Sequence, residues 1–330
     1  MIDGFSGEQQ TLYCGNVRGG LIVQVTPTGV RVVRCDNLQL VHEYVAPRTV
    51  TVAVGNIDQI VLALTGGEII FLEVDCKVMS LVQISSTSLD QDIACLSLWA
   101  SASHSNSNDE MNIDNTHTHT DESKEKNEGK NKNTILAVGL WTDNSVRLFA
   151  LQTLQELTRT QLGVDTQAQA RDVILVALGD LLSPTVYLIV GLGDGTLITF
   201  IVDFLDGLPN LTARRKVVLG THPISLTAFS HAGLPCVFAS CDRPTVLSTL
   251  NGKLIFSVVN ISEKTCMAPF HSELFPDCLA LSSEVGLMIG IVDEIQRLHV
   301  QSHPLGESPR RIAHSGQSGV YAGNLLSNKK

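Results

Sequence analysis

The chain is 330 residues long, 44% hydrophobic and 5% aromatic, with 33 acidic residues against 23 basic ones and a formal charge of -10. That length supports a large core, which Val, Ile and Leu must fill, without requiring a single domain. The acidic balance disfavours a broad nucleic-acid-binding face, and neither a signal peptide nor a membrane span is expected, because no basic leader precedes an apolar core and no apolar run approaches ~18 residues.

The eight cysteines form no CxxC pair and sit mostly in apolar surroundings, which fits free thiols in a reducing compartment, nuclear or cytoplasmic. Cys236 and Cys241 are close enough in sequence to form a disulfide or metal pair, but they lack fellow ligands.

In chain order, short apolar runs are separated by Gly, Pro, Asn and Asp, which predicts antiparallel strands joined by tight turns. Residues 11–15 and 21–26 flank Arg18-Gly19-Gly20, and Pro27-Thr28-Gly29 turns the chain into 30–33. A second set, 50–54, 60–64 and 69–74, turns at Gly55-Asn56 and Gly66-Gly67. Residues 81–84 read as the outer strand of one sheet and 93–99 as the first strand of the next. Residues 100–133 differ in kind. From Ser101 to Asn133 there are seven acids, four lysines and almost no apolar side chain, so burial cannot offset the entropy of ordering them. A disordered surface insert is expected there, and long surface insertions cost little in closure entropy.

A strand at 134–139 follows, then 153–162, which reads either as a turn of helix or as a hairpin arm. Residues 173–178 and 186–190 lead into the central run VGLGDGTLITF at 190–200. Residues 205–211 read as a loop turning into the basic run Arg214-Arg215-Lys216 and a strand at 217–219. The runs 245–250 and 253–259 flank Asn251-Gly252, a two-residue hairpin signal. Residues 319–323 begin a strand that the chain does not complete, so both ends read as cut rather than capped.

The central run has related units at 137–149 and 288–300 and a weaker copy at 237–247. Their marker residues Gly139, Gly191, Ser240 and Gly290 lie 52, 49 and 50 residues apart. That period is the signature of a repeated four-stranded blade, so the expected fold is all-β, a multi-bladed β-propeller. Gly193 and Gly195 are expected to supply positive φ beside Asp194. Asp143, Asp194, Asp242 and Asp293 recur just after the markers. Recurrence points to hydrogen bonding within turns, since such carboxylates would be scattered among blades rather than gathered for catalysis.

Other chemistry is thin. The stretch Gly191-Leu192-Gly193-Asp194-Gly195 lacks the full GxGxxG spacing, a following helix and a Lys-Ser/Thr pair, so it is not read as a phosphate loop. His117 and His119 lie in the insert, where low complexity explains them better than zinc or copper binding. Ser105 and Ser107 precede Asp109-Glu110 and are candidate phosphorylation sites. Arg310 and Arg311 read as solvated charge before they read as a phosphate or acidic-partner contact. No Ser-His-Asp or Cys-His arrangement is legible; no catalytic residue, metal or cofactor is expected, and a propeller hydrolase is the remote alternative.

Residues 291–300 (IVDEIQRLHV), continuing to ESPRRI at 307–312, together with CDRPTV at 241–246, RKVVLGT at 215–221 and AVGLWTD at 137–143, resemble the damaged-DNA-binding large subunits that serve as cullin-4 ubiquitin-ligase adaptors. The resemblance runs from about residue 3 to 320 outside the insert. Splicing-factor and polyadenylation-factor large subunits share the plan and are the nearest alternative. The resemblance implies a non-catalytic, nuclear and also cytoplasmic adaptor, built from three seven-bladed propellers, that joins cullin-4 to substrate receptors and meets damaged DNA through a receptor. It implies that residues 1–214 are the latter part of the middle, cullin-binding propeller and 215–330 the first blades of the next. Tyr44 aligns with an aromatic cullin contact, where the family has tryptophan; Gly139, Asp143, Gly191, Asp194, Gly195, Asp242, Gly290 and Asp293 are expected to shape blade turns.

Overall fold

The computed structural model describes residues 4–100, 134–163, 168–179, 183–205, 207–261, 266–283 and 286–292, and the strand backbones of 308–315 and 320–326. From Ser101 to Asn133 the expected insert lies outside these residues. Every regular element among the described residues is a strand.

The chain divides into two compact units, Met1–Asp293 and Glu294–Lys330. In the first, β1 (Tyr13–Val17), β2 (Leu21–Thr26), β3 (Gly29–Arg34) and β4 (Leu40–Val45) form one antiparallel sheet in chain order. The next is β5 (Val50–Gly55), β6 (Gln59–Leu64), β7 (Glu68–Asp75) and β8 (Ser80–Ser88). The third comprises β9 (Ile93–Ala100), β10 (Thr134–Leu140), β11 (Ser145–Ala150) and β12 (Gln155–Gln161). The fourth comprises β13 (Ala170–Leu178), β14 (Thr185–Leu192), β15 (Thr196–Leu205) and β16 (Leu208–Val218). The fifth comprises β17 (Ser225–His231), β18 (Leu234–Ser240), β19 (Thr245–Leu250) and β20 (Lys253–Val258). The sixth has three described strands, β21 (Cys266–Phe270), β22 (Cys278–Ser283) and β23 (Gly286–Gly290). In the second unit β24 (Ser308–Ser315) pairs with β25 (Val320–Leu326).

The first strands β1, β5, β9, β13, β17 and β21 lie successively against one another, so the first unit is a propeller with six described blades. Between each pair of neighbours from blade one to blade five lies a continuous apolar core. In β6, Ile60, Leu62 and Leu64 enter the core shared with blade one, whereas Val61 and Ala63 enter the core shared with blade three. The same division occurs in β10 and β14. Burial on both faces is why these strands read as unbroken apolar runs.

One expectation needs correction. The described residues form one propeller, and no second propeller is seen among them. The division expected at 214/215 falls inside β16, which pairs with β15 along its length apart from a bulge between Thr199 and Ile201. A single core joins Val176, Ile189 and Leu197 of blade four to Ile224, Leu226 and Val237 of blade five, so packing is continuous across that point. The residues read as a loop at 205–211 are largely strand, and 155–161 form the hairpin arm β12 rather than a turn of helix.

The marker residues also separate. Gly139 and Gly191 stand near the ends of second strands and Ser240 ends one, but Gly290 ends the third strand of its sheet. The outer strands β19 and β20 have six residues each, against ten and eleven in β15 and β16, which brings blade six forward in the sequence. Gly139 and Gly191 are small because their surroundings are crowded, by Cys95 of the same blade and Ala170 of the next at Gly139, and by Ile224 ahead of β17 at Gly191. A Cβ on Gly191 would lie 2.8 Å from Ile224 Cβ and 3.0 Å from its carbonyl oxygen; one on Gly139 would lie 2.5 Å from Cys95 Sγ and 3.1 Å from Ala170 Cβ. A Cβ on Gly290 would meet nothing within 4 Å. Gly191→Ala is therefore expected to destabilise by about 1–3 kcal/mol through overpacking. Gly290→Ala should stay within about 0.5 kcal/mol. Urea unfolding of both variants checks the ranking, and equal midpoints would contradict it.

Candidate functional site

The outer strands of blades one and two form the most informative surface. On β4 the side chains alternate, and Tyr44, opposite Val30, turns its ring toward the core between these blades. Its hydroxyl donates to Gln83 Oε1 on β8 at 2.9 Å. Tyr44 thus joins two outer strands while remaining half-buried. Burial first, and then the Glu68 carboxylate, raise its pKa above the ordinary phenol value, so the ring is a neutral amphipathic contact. On the same two strands Val41, Val45, Val82 and Ile84 are exposed, and Arg31 pairs with Glu43 at 3.0 Å. Both outer strands thus carry exposed apolar residues, and Tyr44 lies at the seam between them.

The turn carboxylates do different work in different blades. Asp143 accepts from Ser145 Oγ at 2.7 Å and from Arg147 and Arg159 at 3.2 and 2.6 Å. Burial alone would raise its pKa, but these hydrogen bonds and the two guanidinium charges hold it below the ordinary value. Asp194 accepts from Thr196 N–H at 3.0 Å, and Gly195, at φ 78°, carries the positive φ of that turn; Gly193 does not share it. Asp242 accepts backbone N–H groups from Thr221 at 2.8 Å and His222 at 3.3 Å, with the Thr221 bond the larger influence lowering its pKa. Asp293 lies outside the described residues. Asp143, Asp194 and Asp242 belong to three successive blades and are not gathered into one site.

Sequence reading missed the groups that join blades three, four and five. Ser97 Oγ accepts from Leu175 N–H at 2.9 Å, and Thr158 Oγ1 donates to Pro209 O at 2.8 Å. Arg214 donates to Leu162 O of blade three. Arg215 donates to Leu254 O of blade five at 3.3 Å and lies 5.0 Å over the Phe256 ring. Asp172, beside a bulge in β13, accepts from Val173 N–H at 2.8 Å and from Leu226 N–H of β17 at 2.7 Å. Although Asp172 as a whole is only partly buried, its carboxyl lies between inner strands; burial pushes its pKa up to about 6 against those two bonds. Burial also pushes the Cys95 thiol well up, and Asp172 adds to that shift.

Among the described residues, no group of three or more His, Cys, Asp or Glu is placed to hold a metal ion, and no helix is long and apolar enough to cross a membrane. All eight cysteines are free; Cys95, Cys236, Cys241 and Cys278 are buried, whereas Cys14, Cys35 and Cys266 are exposed.

A family profile described as the RSE1/DDB1/CPSF1 second beta-propeller matches residues 2–292. The chain is 38% identical over 323 residues to DNA damage-binding protein 1 of Oryza sativa subsp. japonica, covering 97% of this chain and 26% of the relative. It is 38% identical over the same length to the Solanum lycopersicum protein of that name, again covering 97% and 26%. DNA damage-binding protein 1a of Arabidopsis thaliana is 37% identical over 331 residues, 99% of this chain and 27% of the relative. The chain spans about a quarter of the length of the curated relatives it matches.

The carboxyl of Asp172 supplies a pH test. Its folded-state pKa lies above the ordinary 3.8, so its contribution to folding is full below that value and is lost as pH rises through about 6. From about pH 4 to pH 7 the stability of the wild type relative to Asp172→Asn should fall by at most about 3 kcal/mol. Urea unfolding of both proteins across that range measures the difference. A flat difference would mean that the carboxyl is solvated.

Proposed function

The chain belongs to the RSE1/DDB1/CPSF1 second β-propeller family, and on that premise we propose that it is a non-catalytic scaffold of a cullin-4 ubiquitin ligase, joining the cullin to substrate receptors in DNA repair and protein turnover. The observation that carries this reading is the 38% identity to proteins named DNA damage-binding protein 1 across 97% of the chain. Tyr44 supports it as a half-buried ring at the seam of two outer strands that carry exposed apolar residues, the kind of aromatic on which interfaces concentrate binding energy.

In this proposal the rim of blades one and two meets cullin-4 through Tyr44. Substrate receptors are the other partners in this reading. Contact with damaged DNA passes through a receptor, which suits a chain carrying a formal charge of -10. The site of action is the nucleus and also the cytoplasm. The second reading, a scaffold in splicing or pre-mRNA 3′-end processing, is favoured only by the breadth of the matched family description.

Equilibrium binding of purified cullin-4 to the chain decides between them. Tyr44→Ala is expected to weaken cullin-4 binding about tenfold, as loss of a central aromatic anchor does, and Tyr44→Trp to keep it. No saturable cullin-4 binding, with selective capture of splicing or polyadenylation subunits instead, would reverse the assignment.

A further inference from the structure

The loop between β21 and β22 presents an apolar tip that blade packing leaves unused. Leu274 is 86% exposed, the highest value of any large apolar side chain among the described residues, and its neighbour Phe275 is 51% exposed. Burying both on a partner would remove a large apolar area from water.

The loop is held in shape. Ser272 N–H donates to Phe275 O at 3.0 Å, and Phe275 N–H donates to Ser272 O at 3.2 Å and to Ser272 Oγ at 3.1 Å. This closure leaves Glu273 and Leu274 at the tip. Pro276 follows, and Asp277 adopts φ 50°, a left-handed conformation that disfavours most side chains. Asp277 N–H donates to His271 Nδ1 at 3.2 Å, and Asp277 Oδ1 lies 3.6 Å from the same nitrogen. The hydrogen bond joins the two ends of the loop. Cys278 then enters β22 and is buried. Fixing Leu274 and Phe275 in advance reduces the ordering cost when they bind.

We propose that Leu274 and Phe275 form a docking finger that inserts into an apolar pocket bordered by Lys or Arg on a protein partner. The charge of the border follows from the finger itself, because Glu273 is exposed beside the apolar pair and Asp277 stands at its base. Those carboxylates also argue against a lipid surface, where anchors of this kind carry Lys and Arg that meet anionic headgroups. The inference rests on the adaptor reading, which supplies the partners with which it is tested.

The test compares the chain with Leu274→Ser/Phe275→Ser and with Glu273→Lys, using purified cullin-4 and a purified substrate receptor as probes. All substitutions are exposed, so thermal unfolding midpoints should match the wild type. The double variant should lose about tenfold or more in affinity for one of the two probes, as removal of a buried apolar anchor does. Glu273→Lys should weaken the same probe, by a factor that shrinks as salt is raised. Retention of affinity within about twofold for every probe that the wild type binds would overturn the finger and leave the adaptor reading intact. Binding of the wild-type chain, but not the double variant, to phosphatidylserine vesicles would reassign the finger to a membrane and overturn the protein partner. A wild-type chain that binds neither cullin-4 nor the receptor would overturn the adaptor reading and this assignment with it.

Discussion

Burial of each middle strand on both faces is the constraint on which the rest of the propeller depends. A sheet with one wet face alternates apolar and polar residues. β6, β10 and β14 do not, because successive side chains enter the cores on opposite sides. Polar groups in these seams must find partners there, since burying them unpaired is costly. Ser97 and Asp172 do so by accepting backbone N–H groups from the next blade, and the small residues Gly139 and Gly191 stand where Ala170 and Ile224 press in from the following segment.

The same constraint decides where a partner can attach. With both sheet faces consumed by neighbouring blades, the outer strands and loops carry the accessible chemistry. β4 and β8 leave Val41, Val45, Val82 and Ile84 exposed, with a half-buried Tyr44 at the seam between the two strands. β12 and β16 instead use their arginines internally: Arg159 on Asp143, Arg214 on blade three and Arg215 on blade five. Exposed charge on an outer strand is therefore not by itself a binding surface in this fold.

Much of the fold was legible because apolar runs between glycine turns survive in any strand buried on both faces. What escaped was the outer strand of blades one and four. β4, with His42 and Glu43 among exposed apolar residues, carries no clean period, and β16 begins Leu-Pro-Asn and continues through a basic run, which imitates a loop. Outer strands meet water along one edge and tolerate such residues, so composition stops reporting the strand. The period of about fifty residues failed at Gly290 for a related reason: it measures outer-hairpin length as well as blade number. The candidate site was legible only as the single residue Tyr44. Its partner Gln83 lies 39 positions away and is joined to it only by blade stacking. Asp172 left no signal at all, since its role depends on Leu226 in another sheet.

Arg214 and Arg215 show why the chain does not part where its composition changes. Successive residues of a strand point to opposite faces. On β16 that alternation sends one guanidinium to Leu162 O in blade three and the next to Leu254 O and the Phe256 ring in blade five. A run of cations that reads as a hydrophilic junction is thus the place where three consecutive blades are tied at the rim. The inner strands are tied at the corresponding seams by Ser97 and Asp172, so the connection holds at both radii of the propeller. A partner engaging one of these blades meets a surface fixed by the other two, and displacement at one seam must strain hydrogen bonds at the next.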